Sequence, residues 1–142
     1  MNQVQDKKLA CSAEEALFEK KIQGLATVYS QNERPPQGLL GKLDWYFYGV
    51  ISQWIRQKKL TGILGECVYL PLQRKDSLYH LFILGVGQST SRTVPLEGIE
   101  ILKKNLLSIQ FSSIAISKSD FGNLDFHTLF ATFKGVSLWI AP

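Results

Sequence analysis

Apolar positions recur along the chain with two different periods, and each period marks a kind of element. In "LDWYFYGVISQWIRQKK", residues 43–59, Leu43, Tyr46, Phe47, Val50, Ile51, Trp54 and Ile55 repeat at spacings of three and four. That pattern predicts one amphipathic helix with an apolar stripe. Asp44 stands where it can cap the free N–H groups at the start, and Arg56, Lys58 and Lys59 place cations at the negative end of the helix dipole. A second stripe, Ile99, Leu102 and Leu106, follows Pro95 and Glu97, a proline that can open a helix and a carboxylate suited to its first turn. Ser12 and Glu15 have the spacing of a capping box and predict a short first helix, and residues 124–133 predict a last one that stops at Gly135.

The other period is that of strands. "GLATVYS", "ECVYLPL", "LYHLFILGV", "FSSIAIS" and "VSLWI" are short β-branched or apolar runs bounded by polar breakers such as "QNERPPQG" and "QRKDS". Pro71 assigns "ECVYLPL" to a sheet edge, because proline cannot donate to a ladder. "LYHLFILGV" is nearly continuous in apolar residues, as a strand covered on both faces requires, and is expected at the centre of the sheet. The predicted order, α-β-α-β-β-α-β-α-β, is that of an α/β fold whose sheet carries helices on both faces.

Composition narrows this picture to one domain. A chain of 142 residues that is 45% hydrophobic can bury one sizeable core but not two. We expect a ragged N-terminus over residues 1–11 and a single folded domain over 12–142. The two cysteines, Cys11 and Cys67, are too few for a disulfide framework or a thiolate zinc site and read as reduced thiols. Neither a signal-peptide core nor an 18-residue apolar span is legible, so a cytoplasmic location without membrane attachment is expected. The net charge of +4 is a small excess without a run of five basic residues, which permits weak attraction to nucleic acid without predicting it.

Candidate chemistry is sparse. The predicted strand that ends at Gly85-Val86-Gly87 could turn backbone N–H groups toward a phosphate, which makes Gly85, Gly87, Gln88, Ser89, Thr90 and Ser91 the candidate ligand loop. The third glycine of a dinucleotide fingerprint is missing, since position 90 is Thr90, and no P-loop lysine follows. His80 and His127 stand apart in sequence and read as structural histidines, while Asp120, Asp125 and Glu97 read as caps and turn residues. No metal, cofactor or catalytic residue is assigned.

Four features in a fixed order resemble a known family. They are the first strand with its loop, "GLATVYSQNERPPQG"; the helix opening at Leu43-Asp44; the L-T-G-x-x-G-E turn at residues 60–66; and the strand ending at Gly85-x-Gly87. Across residues 22–107 they are similar to the N-terminal domain of the leucyl aminopeptidases, cytosolic dinuclear-zinc exopeptidases. The resemblance implies a macro-like fold, a mixed and mostly parallel sheet between helices, accessory to a separate catalytic domain. The family's N-T-D-A-E-G-R-L type metal-binding segment has no counterpart in this sequence, so the resemblance implies the fold without peptidase activity.

The expectation is therefore a free-standing, non-catalytic module that associates with itself or with another protein, including a separate peptidase-like subunit. Trp45, Tyr48, Trp54 and Trp139 are the candidate anchors. The alternatives are macro-like binding of ADP-ribose or a related nucleotide at the glycine loop and, less expected, weak binding of nucleic acid.

Overall fold

The computed structural model describes residues 8–31, 33–88, 93–121, 124–133 and 135–142. Its five strands are β1 (Gly24–Tyr29), β2 (Cys67–Arg74), β3 (Ser77–Gly85), β4 (Ser113–Ser117) and β5 (Ser137–Ala141). They form one sheet in the order β2-β3-β1-β4-β5, with β2 antiparallel to β3 and every other pair parallel. This is the mixed α/β sheet anticipated above. All six residues of β1 are buried, so the central strand is β1, with "LYHLFILG" beside it. Pro71 lies on the edge strand, as its missing N–H demands.

Alternation along the strands divides the core into two layers. Leu25 and Tyr29 of β1, with Leu70, Leu81 and Ile83, face α1 (Ala13–Phe18), α2 (Gly38–Tyr46) and α3 (Val50–Arg56). Ala26 and Val28, with Phe82, Leu84, Ile114 and Ile116, face α4 (Leu96–Ser108), α5 (Lys118–Phe121) and α6 (Phe126–Thr132). The sheet thus buries both faces, which is what parallel strands with helical crossovers require. Residues 1–7 lie outside the described residues. From there Lys8 bridges to Ile140, and the Leu9 N–H donates to the Ile140 carbonyl at 2.8 Å.

The expected caps are in place. Ser12 Oγ accepts from the Glu15 N–H at 3.3 Å, and its hydroxyl meets Glu15 Oε1 at 3.1 Å. Leu102, Leu106 and Ile99 are fully buried on α4, as their stripe predicts. Asp125 caps α6 by accepting from the His127 N–H at 3.2 Å.

Two expectations need correction. The helix read over residues 43–59 is two helices, α2 beginning five residues earlier and α3 following a break at Phe47-Tyr48-Gly49. Tyr48 and Gly49 take left-handed backbone angles, φ 61° and 80°, which no continuous right-handed helix accommodates. The stripe survives because Leu43, Phe47, Ile51 and Ile55 still face the core across the bend. Asp44 consequently caps the second helix, not its own: its carboxylate accepts from the Ser52 N–H at 2.9 Å and the Ser52 hydroxyl at 2.6 Å. The polar stretch "QRKDS" also shrinks to a two-residue turn, since β2 runs to Arg74 and β3 starts at Ser77.

Three backbone segments are knotted at the C-terminal ends of β1 and β3. A Cβ on Gly85 would stand 2.1 Å from the Ile63 carbonyl oxygen, and one on Gly62 would stand 2.8 Å from the Gln31 nitrogen. Hydrogen bonds join the same segments, from the Gly87 N–H to the Gly62 carbonyl at 2.8 Å and from the Gln31 N–H to the Gly87 carbonyl at 3.0 Å. The Glu66 carboxylate closes the 60–66 turn on itself by accepting from the Gly62 N–H at 2.7 Å and the Thr61 hydroxyl at 3.0 Å. Gly85→Ala should therefore cost about 3 kcal/mol in urea unfolding through overpacking against backbone. Gly98→Ala in α4, where a Cβ meets only ordinary contacts, should gain about 0.5 kcal/mol by the same measurement. Asp44→Ala, which leaves the first turn of α3 without its cap, should cost about 1–2 kcal/mol.

Candidate functional site

The glycine loop directs its amides inward. The Gly85 N–H donates to the Glu66 carbonyl at 2.8 Å, Val86 to Tyr29 at 3.0 Å and Gly87 to Gly62 at 2.8 Å. The Gly87 carbonyl in turn accepts from the Ser30 hydroxyl at 3.0 Å. An anion at this strand end would therefore have to find its donors beyond Gly87. Gln88 is exposed, and the remaining candidates, Ser89, Thr90 and Ser91, lie outside the described residues.

The titratable groups on the sheet are engaged in packing. His80 Nδ1 and the Tyr69 hydroxyl share a 2.6 Å hydrogen bond between rings stacked 5.8 Å apart, and Phe111 closes against His80 edge-on. Burial pushes the His80 pKa below the ordinary imidazole value and the Tyr69 pKa above the ordinary phenol value, so the pair is held neutral. Cys67 is pushed up to about 11 by burial, with the Glu66 carboxylate adding to it, which keeps the thiol protonated and poorly nucleophilic at neutral pH. Among the described residues no group of three or more His, Cys, Asp or Glu side chains is placed to hold a metal ion. No helix among them is long and apolar enough to cross a membrane.

Asp120 is a residue whose place the sequence did not reveal. It reads as a turn carboxylate, yet it is buried within the four-residue α5 and accepts from Thr27 Oγ1 of the central strand at 2.6 Å. Ser117 and Ser119 beside it share a 2.9 Å hydrogen bond. β1 leads into α2 on one face of the sheet, whereas its neighbour β4 leads into α5 and α6 on the other. Adjacent parallel strands whose connections diverge in this way open a crevice at their C-terminal ends, where α/β sheets bind ligands.

A sizeable hollow lies elsewhere, along the helix break. It encloses about 690 Å³ between Pro35 and Pro36 of the β1–α2 loop, Trp45 and Tyr48 at the bend, and Arg74 at the end of β2. Trp45 and Tyr48 are each 77% exposed, more than any other large apolar side chain described. Neither lies on the stripe that holds Leu43, Phe47 and Ile51 in the core. The other two proposed anchors are placed differently: Trp54 and Trp139 are half-buried against the α1–α3 layer. Arg74 forms the cationic floor. Its guanidinium lies over the rings of Phe18 and Tyr46, at 4.9 and 5.6 Å, and its Nε is buried without a hydrogen-bond partner among the described residues. On the far side of Pro35 and Pro36 a second hollow of about 450 Å³ is edged by Arg34, Arg56 and Lys58.

Comparison with known proteins places the fold. No family model matches the chain. A probable cytosol aminopeptidase of Synechococcus sp. (strain WH7803) is 39% identical over 59 residues, 42% of this chain and 12% of the relative. The macrodomain of Thermus aquaticus DarG superposes with a TM-score of 0.65 at 13% identity, covering 96% of this chain and 97% of that one. Thermosipho africanus DarTG in complex with ADP-ribose gives 0.57 at 15% identity, covering 88% and 39%. A mutant of tomato leucine aminopeptidase gives 0.59 at 15% identity, covering 99% of this chain and 34% of the enzyme. The chain thus has the fold of a macrodomain, spans a third of an aminopeptidase of known structure, and resembles the aminopeptidases in sequence over a short stretch.

Proposed function

We propose that this chain is a macro-like accessory module that works by association with a polypeptide, through the groove at the α2–α3 bend. The observation that carries the reading is the side-by-side exposure of Trp45 and Tyr48 over a proline-walled hollow. Aromatic residues of this kind concentrate the binding energy of protein interfaces, and a fold that half-buries Trp54 and Trp139 leaves these two side chains in water. The inward-turned amides of residues 85–87 support the same choice, since they do not present a cradle for a phosphate. The partner is a second copy or another chain, including a peptidase-like subunit. In that role the module would contribute binding and positioning without chemistry of its own.

Native mass spectrometry and sedimentation of the wild type and of a Trp45→Ser, Tyr48→Ser double variant test this. A discrete complex is expected from the wild type and a monomer from the variant. Thermal stability should stay nearly unchanged, because both side chains are largely exposed. A wild type that remains monomeric at high concentration and retains no polypeptide would overturn the reading.

A second reading is supported by the point where the connections of β1 and β4 diverge, together with the ADP-ribose named for one structural neighbour. On this reading the chain binds ADP-ribose or a related nucleotide beside Ser117, Ser119 and Asp120. Millimolar ADP-ribose should then raise the melting temperature, by mass action on the folded state, and give saturable heat in a calorimeter. The absence of both signals at that concentration excludes it.

A further inference from the structure

Building on the association reading, we infer that the groove at the helix bend recognises an extended acidic peptide segment that carries proline or an aromatic residue. The argument rests on charge and shape together. Arg74 lines the groove with its guanidinium carbon 4.9 and 5.6 Å from the ring centres of Phe18 and Tyr46, and its Nε–H meets no acceptor among the described residues. The carboxylate nearest to hand in the groove lining, Asp44, has both oxygens engaged by Ser52 and faces the positive end of α3. A planar guanidinium in that position is matched by an incoming carboxylate, which can take two parallel N–H bonds from it.

The walls set the rest of the ligand. Pro35 and Pro36 oppose Trp45 and Tyr48, an aromatic-lined slot of the kind that grips extended, proline-containing chains. Beyond the prolines, Arg34, Arg56 and Lys58 edge the adjoining hollow with Glu33 as its one acidic lining residue, so a segment that continues across the ridge passes from one cationic surface to another. Aromatic slots that hold proline beside acidic residues select basic flanks; here the sign of the charge is reversed, and the complementary flank is acidic.

Fluorescence anisotropy with three labelled octapeptides tests the inference. All share a central proline-tyrosine core; the first has glutamates on both flanks, the second glutamines and the third lysines. The glutamate peptide should bind saturably, and the glutamine peptide at least tenfold more weakly, as loss of a charge-assisted hydrogen bond implies. Arg74→Gln should weaken the glutamate peptide about tenfold, while Arg74→Lys should recover part of the loss. Should Arg74→Gln fail to fold, the exposed pair Arg56→Gln, Lys58→Gln provides the same comparison. Equal affinity for all three peptides, no binding up to millimolar concentration, or tighter binding of an oligothymidylate at the same residues would each overturn the inference. If the peptides fail while the Trp45→Ser, Tyr48→Ser variant still dissolves the complex, only the ligand class is wrong; if that variant leaves the complex intact, the association reading falls with it.

Discussion

The closest constraint in the molecule is the contact of backbone on backbone where β3 ends. Gly85 lies so near the Ile63 carbonyl that no side chain fits between them, and Gly62 is packed, less tightly, against Gln31. These two approaches fasten the turn after α3 to the ends of the two innermost strands. With that turn fixed, α3 can end and β2 begin only in one place, which fixes the edge of the sheet and the position of Arg74 at the other end of β2. The groove beside the helix bend is therefore assembled at a distance from the knot but depends on it.

The same knot separates structural glycine from binding glycine. A glycine-ended strand serves a phosphate when its amides point outward and are free. Here each amide from Gly85 to Gly87 already has a carbonyl partner from a neighbouring segment. Glycine is explained by close approach at position 85 and by a left-handed φ of 75° at position 87, so the proposed sites are built instead on side chains: the aromatic pair and the arginine at the bend, or the buried carboxylate after β4.

Much of the fold was legible because it is written in local periodicity. The stripes of α4, the cap at Ser12, the proline of the edge strand and the five strand runs need only near neighbours to be read. The break at Tyr48-Gly49 was not, since a stripe at spacings of three and four passes through a bend that keeps Phe47 and Ile51 on one side; only Gly49 hinted at it. The candidate anchors divided for the same reason. Trp45 and Tyr48 stand outside the stripe and are exposed, whereas Trp54 lies on it and is half-buried. Arg74 and Asp120 could not be found from sequence at all. One acquires its role from rings 28 and 56 positions away, and the other from a threonine 93 positions away, across the sheet.

Pro71 has a consequence for the manner in which copies of this chain can join. β2 is an eight-residue outer strand, long enough to be extended by a strand from another molecule. A proline in mid-strand with its nitrogen toward solvent breaks the row of donors that such an extension would need. Growth by adding strand to strand, which has no natural end and leads to fibres, is thereby discouraged. Any association would be left to side-chain surfaces, whose geometry can close on itself and so fix a finite number of subunits.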